Sequence, residues 1–449
     1  MKKLFGTDGI RGVAGVPPLD PPTVHAIGLA LAATLRLTTP SPKILLGMDT
    51  RESSQPIAAT LTAGLLAGGA LVESAGVITT PAIAFLTRAH RFAAGIVISA
   101  SHNPWEDNGI KLFGPDGYKL PDDLELAIEA EIFRQLDQPT ETPTQALHPP
   151  PVNEADRADY VRSLLATVPG LSLSNRTVVV DCANGAASAV APQLFSDLGG
   201  DVIVTHASPN GRNINEDCGA LHPAVVAAEV TLHQASVGIT LDGDADRCLF
   251  ADQNGHVVNG DAVLLLAARD LQARRLLTNN VVVATTMSNM GLEAALRRSG
   301  IQMLRAPVGD KYVLEQMLAT GAALGGEQSG HILFTGRSTT GDGLLTALLV
   351  LDVMHRSGKS LAELTADLKV FPQIIVNVKV RDRRPLDAIP AVAQALQTAE
   401  KELSDRGRIV LRYSGTEPLA RVMVEAETEL EMRTHADLIA NAIKAEIGL

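Results

Sequence analysis

The chain has 449 residues, and at about 150 residues per domain that is room for three or four cores with a cleft between them. Aromatics make up 3% of it and the formal net charge is −12 with no dense Lys/Arg block, which excludes base-stacking platforms, a duplex-tracking surface and an anionic-membrane anchor. No apolar run reaches the 18 or so residues of a membrane span, Asp8 and Arg11 interrupt the Met1-Lys2-Lys3-Leu4 start before a secretory signal develops, and Cys182, Cys218 and Cys248 lack any Cys-x-x-Cys spacing, which suits a reducing, cytoplasmic setting.

In chain order, Gly6-Thr7-Asp8-Gly9-Ile10-Arg11-Gly12 reads as a Gly-rich turn presenting Arg11. Three segments then repeat one pattern: an apolar run, a small polar loop, an amphipathic helix, a Gly and a second apolar run, which predicts βαβ units. They begin at Lys43-Ile44-Leu45-Leu46, at Thr177-Val178-Val179-Val180 and at Val281-Val282-Val283-Ala284. A Pro-, Thr- and Gln-rich stretch over 136–156 marks a boundary, and a second is expected near Asn254-Gly255. After Phe371-Pro372 the pattern changes to short alternating strands around a helix at 388–404, with a closing helix at about 429–446. The expected fold is therefore α/β: three tandem related domains with mixed, mostly parallel sheets (1–155, 156–255 and 256–370) and a smaller C-terminal α+β domain (371–449), around a central cleft.

Four segments carry chemistry. Ser99-Ala100-Ser101-His102-Asn103-Pro104 follows the apolar Gly95-Ile96-Val97-Ile98, at the strand exit where open α/β sheets bind ligands. A plain Ser turn ending at Pro104 explains it too, whereas a hydrolase triad does not, for no Gly-x-Ser-x-Gly elbow occurs. Asp242-Gly243-Asp244-Ala245-Asp246-Arg247 follows Val237-Gly238-Ile239. Three carboxylates at alternate positions of a tight loop suit one Mg²⁺, which takes oxygen ligands near octahedral angles; the calcium-loop alternative fails because position twelve is Gln253. A phosphorylated Ser101 would add a fourth anionic oxygen, so the two segments together read as a phosphoserine beside a cation, an activated phosphoryl donor.

The third segment, Gly326-Glu327-Gln328-Ser329-Gly330-His331, offers Glu327, Ser329 and His331 to sugar hydroxyls or an amine. Fourth, Arg412-Tyr413-Ser414-Gly415-Thr416-Glu417-Pro418 with Arg421 supplies two guanidinium forks, two hydroxyls and the Gly415 amide to a phosphate that stays put. Lys111, ten residues after Ser101, joins Arg11 as a cation for the transferring group, and would shuttle protons were burial to lower its pKa. Two decoys fall away: Gly358-Lys359-Ser360 lacks the P-loop's first Gly, which is Val353, and no Gly-x-Gly-x-x-Gly follows a strand.

These four segments, with Thr7-Asp8-Gly9-Ile10-Arg11-Gly12, resemble the α-D-phosphohexomutase superfamily in residues and in order across the whole chain. The resemblance implies Ser101 as the phosphorylated serine, one Mg²⁺ per chain on Asp242, Asp244, Asp246 and the Ser101 phosphate, and Arg11, His102, Lys111, Arg247 and His331 near the transfer. It places the sugar on Glu327 and Ser329 and its distal phosphate on Arg412, Ser414, Gly415, Thr416 and Arg421. Gln328, the stretch Asn213 to Ala220 before His222-Pro223, and Phe371-Pro372-Gln373 resemble the amino-sugar branch. That branch implies a hexosamine phosphate substrate, a sugar 1,6-bisphosphate intermediate and no nucleic-acid or membrane partner. It is compatible with a homodimer and with priming of Ser101 by a kinase or by autophosphorylation. Tyr413 departs from the superfamily's smaller or different residue and puts the shape of the phosphate loop in question.

Overall fold

The computed structural model describes residues 3–137, 151–414 and 419–449. By contact the chain forms two units, one built from the chain up to Met287 with Ile301–Ala366, the other from Ser288–Gly300 with the chain from Asp367 onward.

The first unit contains three sheets built to one plan. In the first, β1 (Phe5–Gly6), β2 (Gly9–Val13), β3 (Lys43–Met48), β4 (Leu71–Val77), β5 (Ala94–Ile98) and β6 (Asp107–Phe113) lie in the order β1-β2-β6-β5-β3-β4. The second orders β7 (Thr177–Asp181), β8 (Asp201–Thr205), β9 (Val237–Leu241), β10 (Cys248–Asp252) and β11 (Val257–Val258) as β11-β10-β9-β7-β8. The third orders β12 (Val281–Thr285), β13 (Gln302–Ala306), β14 (Leu324–Gly326) and β15 (Ile332–Phe334) as β13-β12-β14-β15. Each contains three adjacent parallel strands, β4-β3-β5, β8-β7-β9 and β13-β12-β14. A fourth strand then returns antiparallel to the last of them: β6 on β5, β10 on β9, β15 on β14.

The cause is in the side chains. β5 (AGIVI), β9 (VGITL) and β12 (VVVAT) are buried at every position, as continuous apolar runs covered on both faces must be. The three expected βαβ units are present as parallel pairs β3/β4, β7/β8 and β12/β13. The helix Met290–Arg298, which the chain forms between β12 and β13, groups with the second unit. In the first sheet, α1 (Pro21–Arg36) and α2 (Ser54–Ala67) cross at two glycines: a Cβ on Gly28 would stand 2.5 Å from the Leu61 carbonyl oxygen, and one on Gly64 2.2 Å from that of His25. Behind that crossing Ile27, Leu31, Leu61, Ile44 and Ile96 form the core.

The second unit carries a three-stranded antiparallel sheet, β16 (Gln373–Lys379), β17 (Gly407–Tyr413) and β18 (Leu419–Ala426), in the order β16-β18-β17. Its inner face meets the helices Pro390–Leu403 and Glu429–Ile447 through Val378, Val422, Val424, Ile439 and Ile443. Both helices begin and end within a few residues of the positions expected from sequence. The end of the phosphate segment, including Gly415 and Thr416, lies outside the described residues.

Candidate active site

The shared sheet plan brings three loops to equivalent places. Residues 99–106 join β5 to β6, 242–247 join β9 to β10, and 327–331 join β14 to β15. Each leaves the carboxyl end of a buried parallel strand, the edge where α/β folds bind ligands.

The 242–247 loop is where they meet. From the first sheet's side the Thr80 amide donates to the Asp244 carbonyl (3.0 Å) and its hydroxyl to Asp244 Oδ2 (2.5 Å). From the third, the Gly343 amide donates to the Ala245 carbonyl (2.9 Å), and the Cys248 amide to that of Gly330 (3.0 Å). Gly243 is required by close approach, since a Cβ there would lie 2.5 Å from the Ser101 carbonyl oxygen. Ser101 Oγ donates to Asp242 Oδ2 at 2.6 Å and stands 3.2 Å from His102 Nδ1. Ser101 and Ala245 both adopt left-handed backbone, φ 55° and 57°, which costs a non-glycine residue on the order of 1–3 kcal/mol and persists only where the surroundings enforce it.

Asp242, Asp244 and Asp246 are buried with their carboxylate oxygens within 4.8 Å of one another. Burial, then the charges of Asp246 and Asp244, push the Asp242 carboxyl well above its ordinary range. Burial would raise Asp246 as well, but Lys111, His331 and Arg247 outweigh it and hold that carboxyl well below the ordinary range. Asp244 Oδ1 is buried and accepts no hydrogen bond among the described residues. Three converging carboxylates with an orphaned oxygen are what a hard cation satisfies, so these residues fit a divalent metal with oxygen preference.

Cations frame the cluster. Lys111, 1% exposed, places Nζ 2.7 Å from Asp244 Oδ2, 2.9 Å from Asp8 Oδ2 and 3.5 Å from Asp246 Oδ2. Burial alone would lower its pKa, but Asp244, Asp8 and Asp246 raise it well above the ordinary lysine value. The lowered pKa that a proton-shuttling Lys111 needs is therefore not what this site provides; the side chain stays an ammonium. Arg11 pairs with Asp8 and donates to the Ala100 carbonyl at 3.3 Å. The Arg247 amide donates to Asp242 Oδ1 at 3.1 Å.

His331 lies 3.6 Å from both Asp246 Oδ1 (through Nδ1) and Asp310 Oδ2 (through Nε2). Burial opposes its protonation, yet Asp246 and Asp310 raise it to about 9. The Gly341 amide, 3.2 Å from Nε2, points the other way, because it needs a lone pair there. The amide direction is fixed by the backbone, so the neutral form with its proton on Nδ1 fits this geometry better. His102, by contrast, is pushed down to about 4 by burial and by Arg247 and Arg11, and is a neutral imidazole beside Ser101.

A cavity of about 370 Å³ opens onto this cluster, walled by Arg11, His102, Asp246, Arg247, Glu327 and His331 together with Asp8 and Asp310. Glu327 Oε1 accepts from the Gly309 amide at 3.1 Å. Ser101, Lys111, Asp242 and Asp244 stand behind the wall, and Ser329, half-buried, is not part of it. A larger cavity of about 620 Å³, lined by Val13, Leu19, Ile57 and Trp105, holds none of the predicted site residues and is mostly apolar; the convergence of titratable groups marks the smaller one as the site.

Sequence reasoning missed Thr80, Lys119 and Asp310. Lys119 Nζ bridges Asp8 Oδ1 (2.6 Å) and Asp310 Oδ2 (2.5 Å), two residues some 300 positions apart in sequence, and no local spacing signals such a bridge. Asp8 was visible inside the Thr-Asp-Gly-Ile-Arg stretch, but its carboxylate role was not.

In the second unit, Arg412 on β17 and Arg421 on β18 are direct cross-strand partners. Like charges opposite one another are unfavourable unless an anion joins them. Ser414 is buried and its Oγ lies 3.5 Å from Arg421 Nη2. Tyr413 points to the opposite face, packs on the core and donates its hydroxyl to the Arg384 carbonyl at 2.6 Å, so it does not displace the two arginines.

Four family models match in tandem: phosphoglucomutase/phosphomannomutase alpha/beta/alpha domain I over 2–138, domain II over 158–255, domain III over 259–371 and the C-terminal domain over 375–442. The chain is 58% identical to a phosphoglucosamine mutase of Koribacter versatilis (100% of this chain, 98% of that one) and 51% identical to one of Solibacter usitatus (100% and 99%). Among solved structures it resembles a phosphoglucomutase/phosphomannomutase family protein from Burkholderia thailandensis (TM-score 0.77, 22% identity, 99% of each chain). It also resembles the N-acetylphosphoglucosamine mutase of Aspergillus fumigatus in complex with GlcNAc-6P and magnesium (TM-score 0.62, 19% identity, 99% and 96%). With four domain models in order and full-length identity of this level, the chain belongs to the phosphoglucosamine mutase family of the phosphohexomutase superfamily.

Proposed function

We propose that the chain interconverts glucosamine 6-phosphate and glucosamine 1-phosphate in the cytoplasm, through a phosphorylated Ser101 and a glucosamine 1,6-bisphosphate intermediate, on the route to UDP-N-acetylglucosamine. The observation that carries this reading is Ser101 Oγ at 2.6 Å from Asp242 Oδ2 across 141 positions of chain. The proposed division of labour follows four domains, 1–155, 156–255, 256–370 and 371–449. Three buried free thiols are consistent with a reducing compartment.

In the forward direction the bond between phosphorus and Ser101 Oγ breaks as one forms to the free hydroxyl of the sugar monophosphate. The proton that this hydroxyl sheds is balanced by the one the departing Ser101 Oγ takes up, and neutral His102, on the cavity wall and 3.2 Å from that oxygen, is the candidate relay between them. The bisphosphate then returns its other phosphoryl to Ser101, and nothing is consumed. Asp242, Asp244, Asp246 and an oxygen of phospho-Ser101 would hold one Mg²⁺, which when bound offsets charge on the transferring group. Lys111, Arg11 and Arg247 supply fixed positive charge from the protein side. Glu327 and Ser329 orient the sugar, with Glu327 able to pair with the C2 ammonium. Arg412, Ser414, Gly415, Thr416 and Arg421 receive the phosphate that is not transferred, at either end of the sugar.

The test is Ser101→Ala in the full chain. Loss of mutase turnover is expected, with unchanged folding and without the single added phosphate that intact-mass measurement should place on Ser101 of the parent. Near-normal turnover by the variant would remove the covalent role. Rates of the parent on glucosamine 6-phosphate against glucose 6-phosphate decide the sugar, and a preference for glucose would overturn that part of the assignment.

A further inference from the structure

Beneath the serine loop lies a second layer of polar side chains. Arg51 is 1% exposed and is held by Asp49, itself 1% exposed: the guanidinium Nη1 pairs with Asp49 Oδ2, and the Arg51 amide donates to Asp49 Oδ1 at 3.0 Å. The Ser54 hydroxyl completes that carboxylate at 2.9 Å. With Nη1 so occupied, Nη2 donates to two carbonyls of the serine loop, those of Ser101 (3.2 Å) and Asn103 (2.6 Å).

A second donor reaches the same pair from far along the chain. Asn215 Nδ2 donates to the Ser101 carbonyl at 3.0 Å and to the Asn103 carbonyl at 3.1 Å. Asn215 is buried and also left-handed, φ 59°, and its amide is tied to the Ala183 carbonyl at 2.9 Å. The Gly243 backbone closes the third side, where a Cβ would meet both the Ser101 carbonyl oxygen (2.5 Å) and Asn215 Nδ2 (2.9 Å).

Two carbonyls two positions apart in the chain, each taking a hydrogen bond from the same two side chains, fix the direction of the peptide planes between them. That direction sets the left-handed turn at Ser101 and so the aim of its Oγ toward Asp242. We infer that Arg51 and Asn215 form a two-sided clamp that positions Ser101 for phosphoryl transfer, acting through the backbone of residues 101–103 rather than by touching the substrate. This rests on the role proposed above for Ser101. Reaction rates fall steeply with misplacement of a reacting group, by about 10²-fold for 1 Å, whereas binding of the sugar, held by other residues, is left alone.

The experiment uses the full-length protein and steady-state kinetics on glucosamine 6-phosphate for the parent, Asn215→Ala, Arg51→Lys and the double variant, with melting temperatures alongside. Asn215→Ala is expected to lower kcat by about 10- to 10²-fold with KM within about twofold, in a protein that melts within a few degrees of the parent. Arg51→Lys keeps the charge opposite Asp49 but cannot fork across two carbonyls, so a partial loss of kcat is expected. The double variant should lose more than the product of the two single losses, because each donor covers for the other. Arg51→Ala is the weaker probe, since it strands a buried carboxylate and can fail to fold. An unchanged kcat for folded Asn215→Ala, or a loss confined to KM, overturns the clamp. If the parent itself does not turn over glucosamine 6-phosphate, the clamp falls together with the function it serves; a parent that turns over beside an unaffected Asn215→Ala sinks the clamp alone.

Discussion

Asp342 shows how one buried carboxylate ties folding to pH. It caps the helix Gly343–Ser357 by accepting from the Leu345 amide at 2.9 Å, and the Tyr160 hydroxyl lies 3.0 Å from both of its oxygens. Burial pushes the carboxyl up to about 6 from an ordinary 3.8. Between those two values the folded protein keeps a proton that the unfolded chain has released, so Asp342's contribution is fully present below about 3.8 and is lost as pH rises through about 6. Asparagine keeps an acceptor for the cap and carries no charge. Urea midpoints should therefore show Asp342→Asn gaining stability over the parent at pH 8 relative to pH 4.5; a difference between the two proteins that does not change with pH would refute this. Lys111 follows the same physics with opposite outcome: burial favours the neutral amine, but three carboxylates keep it charged. Neither result can be obtained from a residue and its sequence neighbours, because desolvation and distant charges decide both.

At the scale of elements, the continuous apolar runs of β3, β5, β7, β9 and β12 made the parallel strands readable, because a strand covered on both faces has no polar side to show. The returning strands β6, β10 and β15 were not anticipated. β15 is three residues long, and β6 (DNGIKLF) mixes Asp, Asn and Lys with its apolar residues, Lys111 being the one that reaches the aspartates. Helix crossings are decided by glycines whose role no periodicity reveals. Alanine in a helix is ordinarily worth about 1 kcal/mol more than glycine, yet Gly64→Ala places a Cβ 2.2 Å from the His25 carbonyl oxygen and 3.1 Å from Gly28 Cα, backbone atoms that cannot swing aside. The expected result is a loss of about 1–3 kcal/mol in urea unfolding, and a neutral or stabilised variant would show that α1 and α2 separate at little cost.

For the whole molecule, the Mg²⁺ proposed for the aspartate cluster would couple chemistry to folding. Three carboxylates converge within 4.8 Å and leave Asp244 Oδ1 without a hydrogen bond among the described residues, so an ion bound there by the folded state alone raises the melting temperature by mass action, about 2.7 kcal/mol at 100 times Kd. Addition of Mg²⁺ to protein stripped with a chelator should raise the melting temperature of the parent and leave Asp244→Asn almost unmoved. Equal responses of the two proteins would dissociate the cluster from the metal.

The sequence by itself determined the local chemistry of this protein: which strand exits carry a serine, a run of alternating aspartates or a Glu-Gln-Ser-Gly-His loop, since each of those is written within seven consecutive residues. Tertiary structure decided everything that depends on groups far apart in the chain: Thr80 on Asp244, Lys119 between Asp8 and Asp310, Arg51 and Asn215 on one pair of carbonyls, and the charge state of Lys111. The reason is that hydrogen bonds and charge interactions act over a few ångströms of space and are indifferent to separation along the chain, so they become visible only when folding has brought their partners together.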